Sequence, residues 1–204
     1  GNRGFDKNRY NMAATYVKLL TDNQDPRVFV VANPAEKKLA DGLTPTDFAA
    51  YVGANSGESL DDMSTKAGLG EYSFANQKRY YSTFTGYEPA VQIGYAEQCF
   101  NIAEGINRGW ASGDAAQWYQ NGIKASMQFY GITEGTVIQI TEPDNDAVIG
   151  TYTANVTNYL NQASVLYKGN NADGLKQILE QKYIAFFQQS GQEARSWNRC
   201  GPCC

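Results

Sequence analysis

The residues closest to a known chemical motif are the cysteines near the end of the chain, Cys200-Gly201-Pro202-Cys203. This spacing matches the redox dithiol of thioredoxin-like proteins, in which the first cysteine lies at a helix N-terminus that lowers its pKa. Only Cys204 follows the motif, so the motif cannot begin a helix here. We therefore predict no redox site, and residues 195–204 are interpreted as an atypical tail.

Carboxylates could supply metal ligands or an acid–base pair, and two local groups of them occur. Glu142 and the Asp144-Asn145-Asp146 segment could offer oxygens to calcium, but the twelve-residue loop with glycine sixth and glutamate twelfth is missing. Asp61 and Asp62 are adjacent, and in extended chain they point to opposite faces instead of facing each other across a sugar. Both groups are interpreted as solvated acidic segments, and we predict no metal site and no catalytic residue.

Histidine is absent from the sequence, which removes Ser-His-Asp and Cys-His catalysis and the commonest zinc ligand. Lysine, tyrosine and carboxylate chemistry stay open. The net charge is −4 at pH 7, so a phosphate backbone is repelled. No apolar run approaches the roughly 18 residues of a membrane span. These features predict a protein that is not an enzyme and binds no nucleic acid.

The strongest candidate for a binding site is an aromatic cluster within a polar, glycine-bearing stretch. Its members are Tyr72, Phe74, Tyr80, Tyr81, Phe84 and Tyr87. Rings on a loop offer flat apolar faces to the C–H groups of a sugar, and phenol hydroxyls bond to ligand hydroxyls. The alternative is that some of the rings anchor the long loop to neighbouring helices. We predict that at least one of the six contacts a ligand.

The elements that must position this cluster begin with a helix over residues 12–20, capped by Asn8 or Asn11. The first segment, residues 1–32, continues with the Asp25-Pro26-Arg27 turn. It ends with an apolar run at 28–31, which predicts a short buried strand or an extended run. Residues 33–88 are predicted to be an irregular loop region with a short helix over 46–52. Loops of this length inside compact domains are usually functional or disordered.

A helical hairpin is predicted over residues 89–131. Its signals are Pro89 in the first turn, the apolar stripe Ala96, Cys99, Ala103 and Ile106, the helix-ending glycines Gly109 and Gly131, and the N-cap Asp114. Cys99 is interpreted as a small core residue. Residues 132–194 add a strand over 136–140, a weaker helix over 153–166 and a strong helix over 173–189 capped by Asp173. The predicted fold class is mostly α, with tetratricopeptide-like helical hairpins and a long irregular loop region.

Several segments, in order along most of the chain, carry a resemblance to a known family. They are Tyr10-Asn11-Met12 with Asp25-Pro26-Arg27, Glu88-Pro89 with Tyr95-Ala96-Glu97, Arg108-Gly109-Trp110 with Gly122-Ile123-Lys124-Ala125-Ser126-Met127, and Ile178-Leu179-Glu180-Gln181-Lys182-Tyr183. With these segments the chain resembles the SusD/RagB family of nutrient-binding outer-membrane lipoproteins. The lipidated cysteine and a large N-terminal portion of that family are missing, so the chain is expected to be a C-terminal part.

The resemblance implies a mostly helical protein held at the cell surface by a lipid anchor on the outer membrane. It also implies capture of an oligosaccharide or other nutrient for a TonB-dependent outer-membrane transporter, without a cofactor, although some members carry calcium. The family has no general ligand motif, so no binding residue transfers to this chain. A rival hypothesis is a helical scaffold that binds a protein partner on the hairpin face. Its anchors would be Trp110 and Trp118, which also fit core positions.

Overall fold

The computed structural model describes residues 11–82, 88–89, 91, 93–143 and 145–188. Over these residues the protein is mostly helical, as predicted, with a single two-stranded sheet, and no helix is long and apolar enough to cross a bilayer. The chain divides into two compact units that are each discontinuous in sequence. Unit 1 comprises Gly1–Pro89 and Gly135–Ala154, and unit 2 comprises Ala90–Glu134 and Asn155–Cys204.

Unit 1 is built from short helices and the sheet. In chain order they are α1 (Ala14–Asp22), α2 (Val28–Val31), α3 (Glu36–Ala40), a 3-10 turn (Phe48–Ala50), α4 (Leu60–Gly68), α5 (Gln77–Tyr81), β1 (Val137–Thr141) and β2 (Val148–Thr153). The core is aromatic. The ring centroid of the fully buried Phe29 lies 4.9 Å from that of Phe48, 5.4 Å from Tyr51 and 4.4 Å from Tyr152. Strand β2, which carries Tyr152, thus completes a core begun by the first helices.

Two predictions for residues 1–32 are wrong. Helix α1 begins at Ala14 without a side-chain cap, and the proposed cap Asn11 instead lies in an extended bridge with Phe74; Asn8 lies outside the described residues. The strand predicted at 28–31 is the one-turn helix α2. The turn forms because the carboxylate of Asp25 accepts the backbone amide of Arg27 at 3.0 Å, which bends the chain into helical geometry. A run of four apolar residues cannot distinguish a buried strand from a buried helical turn.

Residues 33–88 contain helices that the irregular-loop prediction missed, among them α4. The Ser59 hydroxyl accepts the backbone amide of Asp62 at 3.1 Å and donates to the Asp62 carboxylate at 2.7 Å. Ser59 is therefore the N-cap of α4, and its Ser-x-x-Asp spacing was readable in the sequence. Asp61 and Asp62 therefore lie in the first turn of a helix and not in extended chain. The short helix predicted over 46–52 is the 3-10 turn Phe48–Ala50.

The strand predicted over 136–140 is confirmed as β1, and it pairs with the antiparallel strand β2. Val137 lies opposite Thr153 and Ile140 opposite Gly150, with a register shift between Ile140 and Thr141. Because β2 continues to Thr153, the helix predicted over 153–166 is confined to α8 (Val156–Asn161). Gly150 lets Pro45 approach the sheet, since a Cβ there would lie 3.2 Å from the proline ring.

Unit 2 is organised by the predicted helical hairpin, formed by α6 (Tyr95–Asn107) and α7 (Ala115–Phe129). The predicted ends are confirmed: Gly109 and Gly131 have φ of +74° and +76°, and the Asp114 side chain accepts the amide of Gln117 at 3.1 Å. Pro89 does not lie in the first turn, because Gly94 adopts extended backbone immediately before α6. The thiol-bearing Cys99 is fully buried, which confirms its assignment to the core.

Helix α9 (Ala172–Ala185) packs against α6 and α7 within unit 2. Its N-cap is Asn171, whose side chain accepts the amide of Gly174 at 2.9 Å, so the predicted cap Asp173 instead occupies the first turn. Asn is as good an N-cap as Asp, so the sequence offered two neighbouring choices. Residues 189–204, which include the cysteine-rich tail, lie outside the described residues.

Candidate functional site

Tyr72, the first member of the aromatic cluster, is an anchor within unit 1. Its side chain is buried and its hydroxyl donates to Oε2 of Glu58 at 2.7 Å. The same oxygen accepts from Nζ of Lys66 in α4 at 2.8 Å, so Tyr72 ties α4 to the body of the unit. These two hydrogen bonds, that from Lys66 first, hold the pKa of the Glu58 carboxyl below its ordinary value. The ring of Tyr72 is therefore largely covered, and its hydroxyl is held by Glu58.

Phe74 is buried too, but it borders a cavity. Its carbonyl oxygen accepts the amide of Asn33 at 3.0 Å, and its backbone bridges to Asn11. These contacts hold the ring at the base of a cleft beside α4, while only 9% of the residue stays exposed. A ligand in the cleft would meet the ring's exposed part.

Tyr80 and Tyr81 lie at the end of α5, which Asn76 caps by accepting the amide of Arg79 at 3.0 Å. Both tyrosines are half-buried and so retain accessible surface. The guanidinium carbon of Arg79 lies 5.9 Å from the centroid of the Tyr80 ring, and Arg79 also pairs with Glu88. Phe84 and Tyr87, the remaining members of the predicted cluster, lie outside the described residues. Ligand contact by any of the six stays a prediction.

The cleft beside Phe74 is the candidate site, and we call it the α4 groove. It has a volume of about 960 Å³, which is at the upper end of the range for small-molecule sites. One wall is α4, and the opposite wall is the extended backbone around Met12 and Ala54. Its lining includes Asn11, Leu60, Asp61, Met63, Ser64 and Phe74. The groove thus alternates apolar surface with hydroxyl, amide and carboxylate groups, which suits a ligand that has both C–H faces and hydroxyls.

One polar atom in the α4 groove lacks a partner. The side-chain oxygen Oδ1 of Asn11 is buried, and within the described part of the chain no group donates a hydrogen bond to it. A buried acceptor without a donor costs about 1–3 kcal/mol, so such an atom marks a place where a ligand donor would be favoured. The backbone amide of Ala54 donates to the carbonyl oxygen of Met12 at 2.7 Å, and this pairing holds the adjacent Asn11 at the groove.

The α4 groove was not predicted from the sequence because α4 was not predicted. With Ser59 as the N-cap, Leu60, Ser64 and Ala67 are three or four residues apart and share one helix face. All three line the groove. Among the residues that the structure describes, no three cysteine, aspartate or glutamate side chains converge as metal ligands.

The two tryptophans of the rival hypothesis differ in their exposure to solvent. Trp110, in the turn between α6 and α7, is 74% exposed, so the prediction that it could occupy a core position is wrong. Trp118 in α7 is half-buried.

Comparison with known proteins gives a consistent result. Residues 2–202 match the SusD-like family model described as "starch-binding associating with outer membrane". A SusD homolog from Bacteroides fragilis NCTC 9343 aligns at 26% identity with a TM-score of 0.81, covering 98% of this chain and 42% of that one. A second SusD homolog from the same strain aligns at 25% identity with a TM-score of 0.66, covering 91% and 38%.

An outer-membrane protein of Bacteroides vulgatus ATCC 8482, which has been proposed to take part in nutrient binding, aligns at 29% identity with a TM-score of 0.74. The alignment covers 93% of this chain and 40% of that one. The chain therefore spans about two fifths of the solved structures that it resembles. A sequence comparison with curated proteins gave no significant match.

Proposed function

Because the chain belongs to the SusD-like family of outer-membrane nutrient-binding proteins, we propose that its full-length form captures an oligosaccharide at the cell surface. The captured glycan passes to a TonB-dependent transporter in the outer membrane. A lipid anchor holds the protein at that membrane. Members of this family are binding proteins without catalysis. The α4 groove is the proposed binding site in this chain.

The observation that carries the proposal is the lining of the α4 groove. The buried Oδ1 of Asn11 accepts no hydrogen bond from the described residues, and a sugar hydroxyl can donate one to it. Ser64 and Asp61 on α4 offer further hydrogen-bonding groups, while Phe74 and Met63 offer apolar surface for pyranose C–H groups. Tyr80 and Tyr81 keep accessible surface on α5 and are proposed as a second contact for a longer glycan.

The proposal is tested with a glycan panel and ligand-dependent thermal shift, since a ligand that binds only the folded state raises Tm. In the variant Ser64→Trp an indole fills the groove from an exposed position of α4. Thr65→Trp places the same side chain on the same helix, outside the groove lining. We expect Ser64→Trp to abolish the shift and Thr65→Trp to preserve it.

The double variant Tyr80→Ala/Tyr81→Ala locates the site further. Loss of the shift in this variant, with Ser64→Trp unaffected, would move the site from the groove to α5. A folded wild-type chain that no glycan in the panel stabilises would contradict glycan capture by this chain.

The exposure of Trp110 favours a second candidate function, a helical scaffold that binds a protein partner on the α6–α7 hairpin. Tryptophan is enriched among interface hot spots. In that case Trp110→Ala would abolish binding to the transporter while the glycan-dependent shift stays unchanged.

A further inference from the structure

The exposed Trp110 lies at the end of a polar face of α6. Asn101, Glu104 and Arg108 are spaced three and four residues apart, so they share one side of the helix, and Trp110 follows directly after the glycine that ends it. The guanidinium carbon of Arg108 lies 5.2 Å from the centroid of the indole ring. This stacking holds the two side chains together at the surface.

These four residues border a cavity of about 540 Å³ within unit 2. Beneath it lies a buried charged group. Glu104 is buried, and its Oε1 accepts from Nε of Arg108 at 2.9 Å. Lys182 of α9 is also buried; its Nζ donates to Oδ1 of Asn101 at 2.5 Å and lies 3.9 Å from Oε2 of Glu104. The cavity is therefore built on ordered polar groups.

Arg108 is the solvent-exposed charge of this cluster. Arg108 uses Nε for Glu104, and its two terminal nitrogens meet no acceptor among the described residues. A guanidinium presents such a pair of N–H groups in a planar fork that matches a carboxylate.

We propose that Trp110, Arg108 and Asn101 form a second binding site, which takes a uronic acid residue of an acidic oligosaccharide. The carboxylate of the sugar accepts from the terminal nitrogens of Arg108, and the C–H face of the pyranose stacks on the indole of Trp110. The amide of Asn101, whose oxygen is engaged by Lys182, donates from its nitrogen to a ring hydroxyl. This inference goes beyond the proposed function, because the site lies in the other unit and selects a charged sugar.

A protein partner fits this cavity less well. Interface cores are depleted of glutamate, and the buried Glu104 borders this cavity. A carboxylate-bearing ring satisfies both the unpaired fork and the flat apolar surface in one small ligand.

The test is titration of the chain with trigalacturonate, followed by calorimetry, with neutral galactotriose and sodium acetate as comparison ligands. We expect trigalacturonate to bind and the neutral trimer to bind at least about tenfold more weakly, because it lacks the charge-assisted pair. Arg108→Lys keeps the charge but removes the fork, and Trp110→Ala removes the platform. Each should weaken binding about tenfold or more.

The control variant Lys176→Gln removes an exposed positive charge from α9, away from the cavity, and should leave the affinity within about twofold. Unfolding curves of all variants establish that each is folded. The proposal is overturned if folded wild-type protein does not bind trigalacturonate, or if Arg108→Lys and Trp110→Ala bind it normally. Acetate that competes as well as the trimer would show an unspecific anion site, which also overturns it. Ser64→Trp in the α4 groove should not change this binding, so the two sites fail or succeed separately.

Discussion

Gly122 of α7 lies directly against the ring of Phe100 of α6. A Cβ atom at position 122 would be 2.6 Å from Cε1 and 2.7 Å from Cζ of that ring, well inside van der Waals contact. The absence of a side chain at Gly122 is what allows the fully buried Phe100 to fill the space between the two helices. The hairpin of unit 2 therefore depends on this pair, and the small residue is required by packing and not by backbone conformation.

The variant Gly122→Ala should consequently destabilise the protein by about 1–3 kcal/mol, the usual cost of overpacking a core. Gly105→Ala in α6 is the matched control, because a Cβ there would meet no packed neighbour within 4 Å. Alanine is the better helix former, so the control should be neutral or up to about 1 kcal/mol more stable. Urea unfolding measures both, and equal midpoints for the two variants would contradict the packing argument.

The buried ion pair between Asp25 and Arg27 is expected to be essential for the fold of unit 1. Both side chains are fully inaccessible, and Nε of Arg27 donates to both carboxylate oxygens at 3.0 and 3.1 Å. Asp25→Ala would leave a buried guanidinium without its carboxylate, which costs about 3–5 kcal/mol. Asp22→Ala breaks the exposed pair with Lys18 and should cost less than about 1 kcal/mol. Thermal unfolding of the two variants provides the comparison, and a similar small loss in both would rule out the essential role.

The Glu58 network should make stability depend on pH in the acid range. Its hydrogen bonds from Lys66 and Tyr72 lower the folded-state pKa of Glu58 from 4.5. The stabilisation is therefore complete above the unfolded-state pKa and is lost as pH falls through the depressed folded-state value. Glu58→Gln should be less stable than wild type at pH 7 and approach it in acid, when the midpoint of urea unfolding is followed against pH.

The charge-matched control for this experiment is Glu71→Gln, a half-buried glutamate that follows α4. This variant should keep the acid dependence of the wild type. If Glu58→Gln shows the same pH profile as wild type, the network does not contribute to stability in the way its hydrogen bonds indicate. The stability of Tyr72→Phe at pH 7 should lie between that of wild type and that of Glu58→Gln, because this variant removes one of the two hydrogen bonds to Glu58.

Cys99 should be unreactive in the folded protein. Its side chain is fully buried, and burial raises the pKa of the thiol, so little reactive thiolate forms at neutral pH. In a variant with Cys200, Cys203 and Cys204 changed to serine, we expect iodoacetamide to label the chain only after unfolding in guanidinium. Mass spectrometry counts the label, and rapid native labelling would place the thiol at the surface.

The sequence alone was sufficient for the elements whose signals are local. The α6–α7 hairpin follows from an apolar stripe, an aspartate cap and two glycines with positive φ, and each of these acts within a few residues. Cys99 was assigned to the core for the same reason, because helical spacing puts it on the stripe. The family resemblance likewise rested on short segments in order, and it is confirmed by the match over residues 2–202.

Tertiary structure decided what local signals leave open. Four apolar residues at α2 fit a strand or a turn of helix, and they form a helix that packs against β1, which is distant in sequence. Aromatic residues that looked alike in sequence acquired different roles: Tyr72 was buried by its bond to Glu58, whereas Trp110 was left at the surface. Burial of a side chain depends on which residues, distant in sequence, pack against it in the folded protein. Periodicity and capping report only on the few residues around each position.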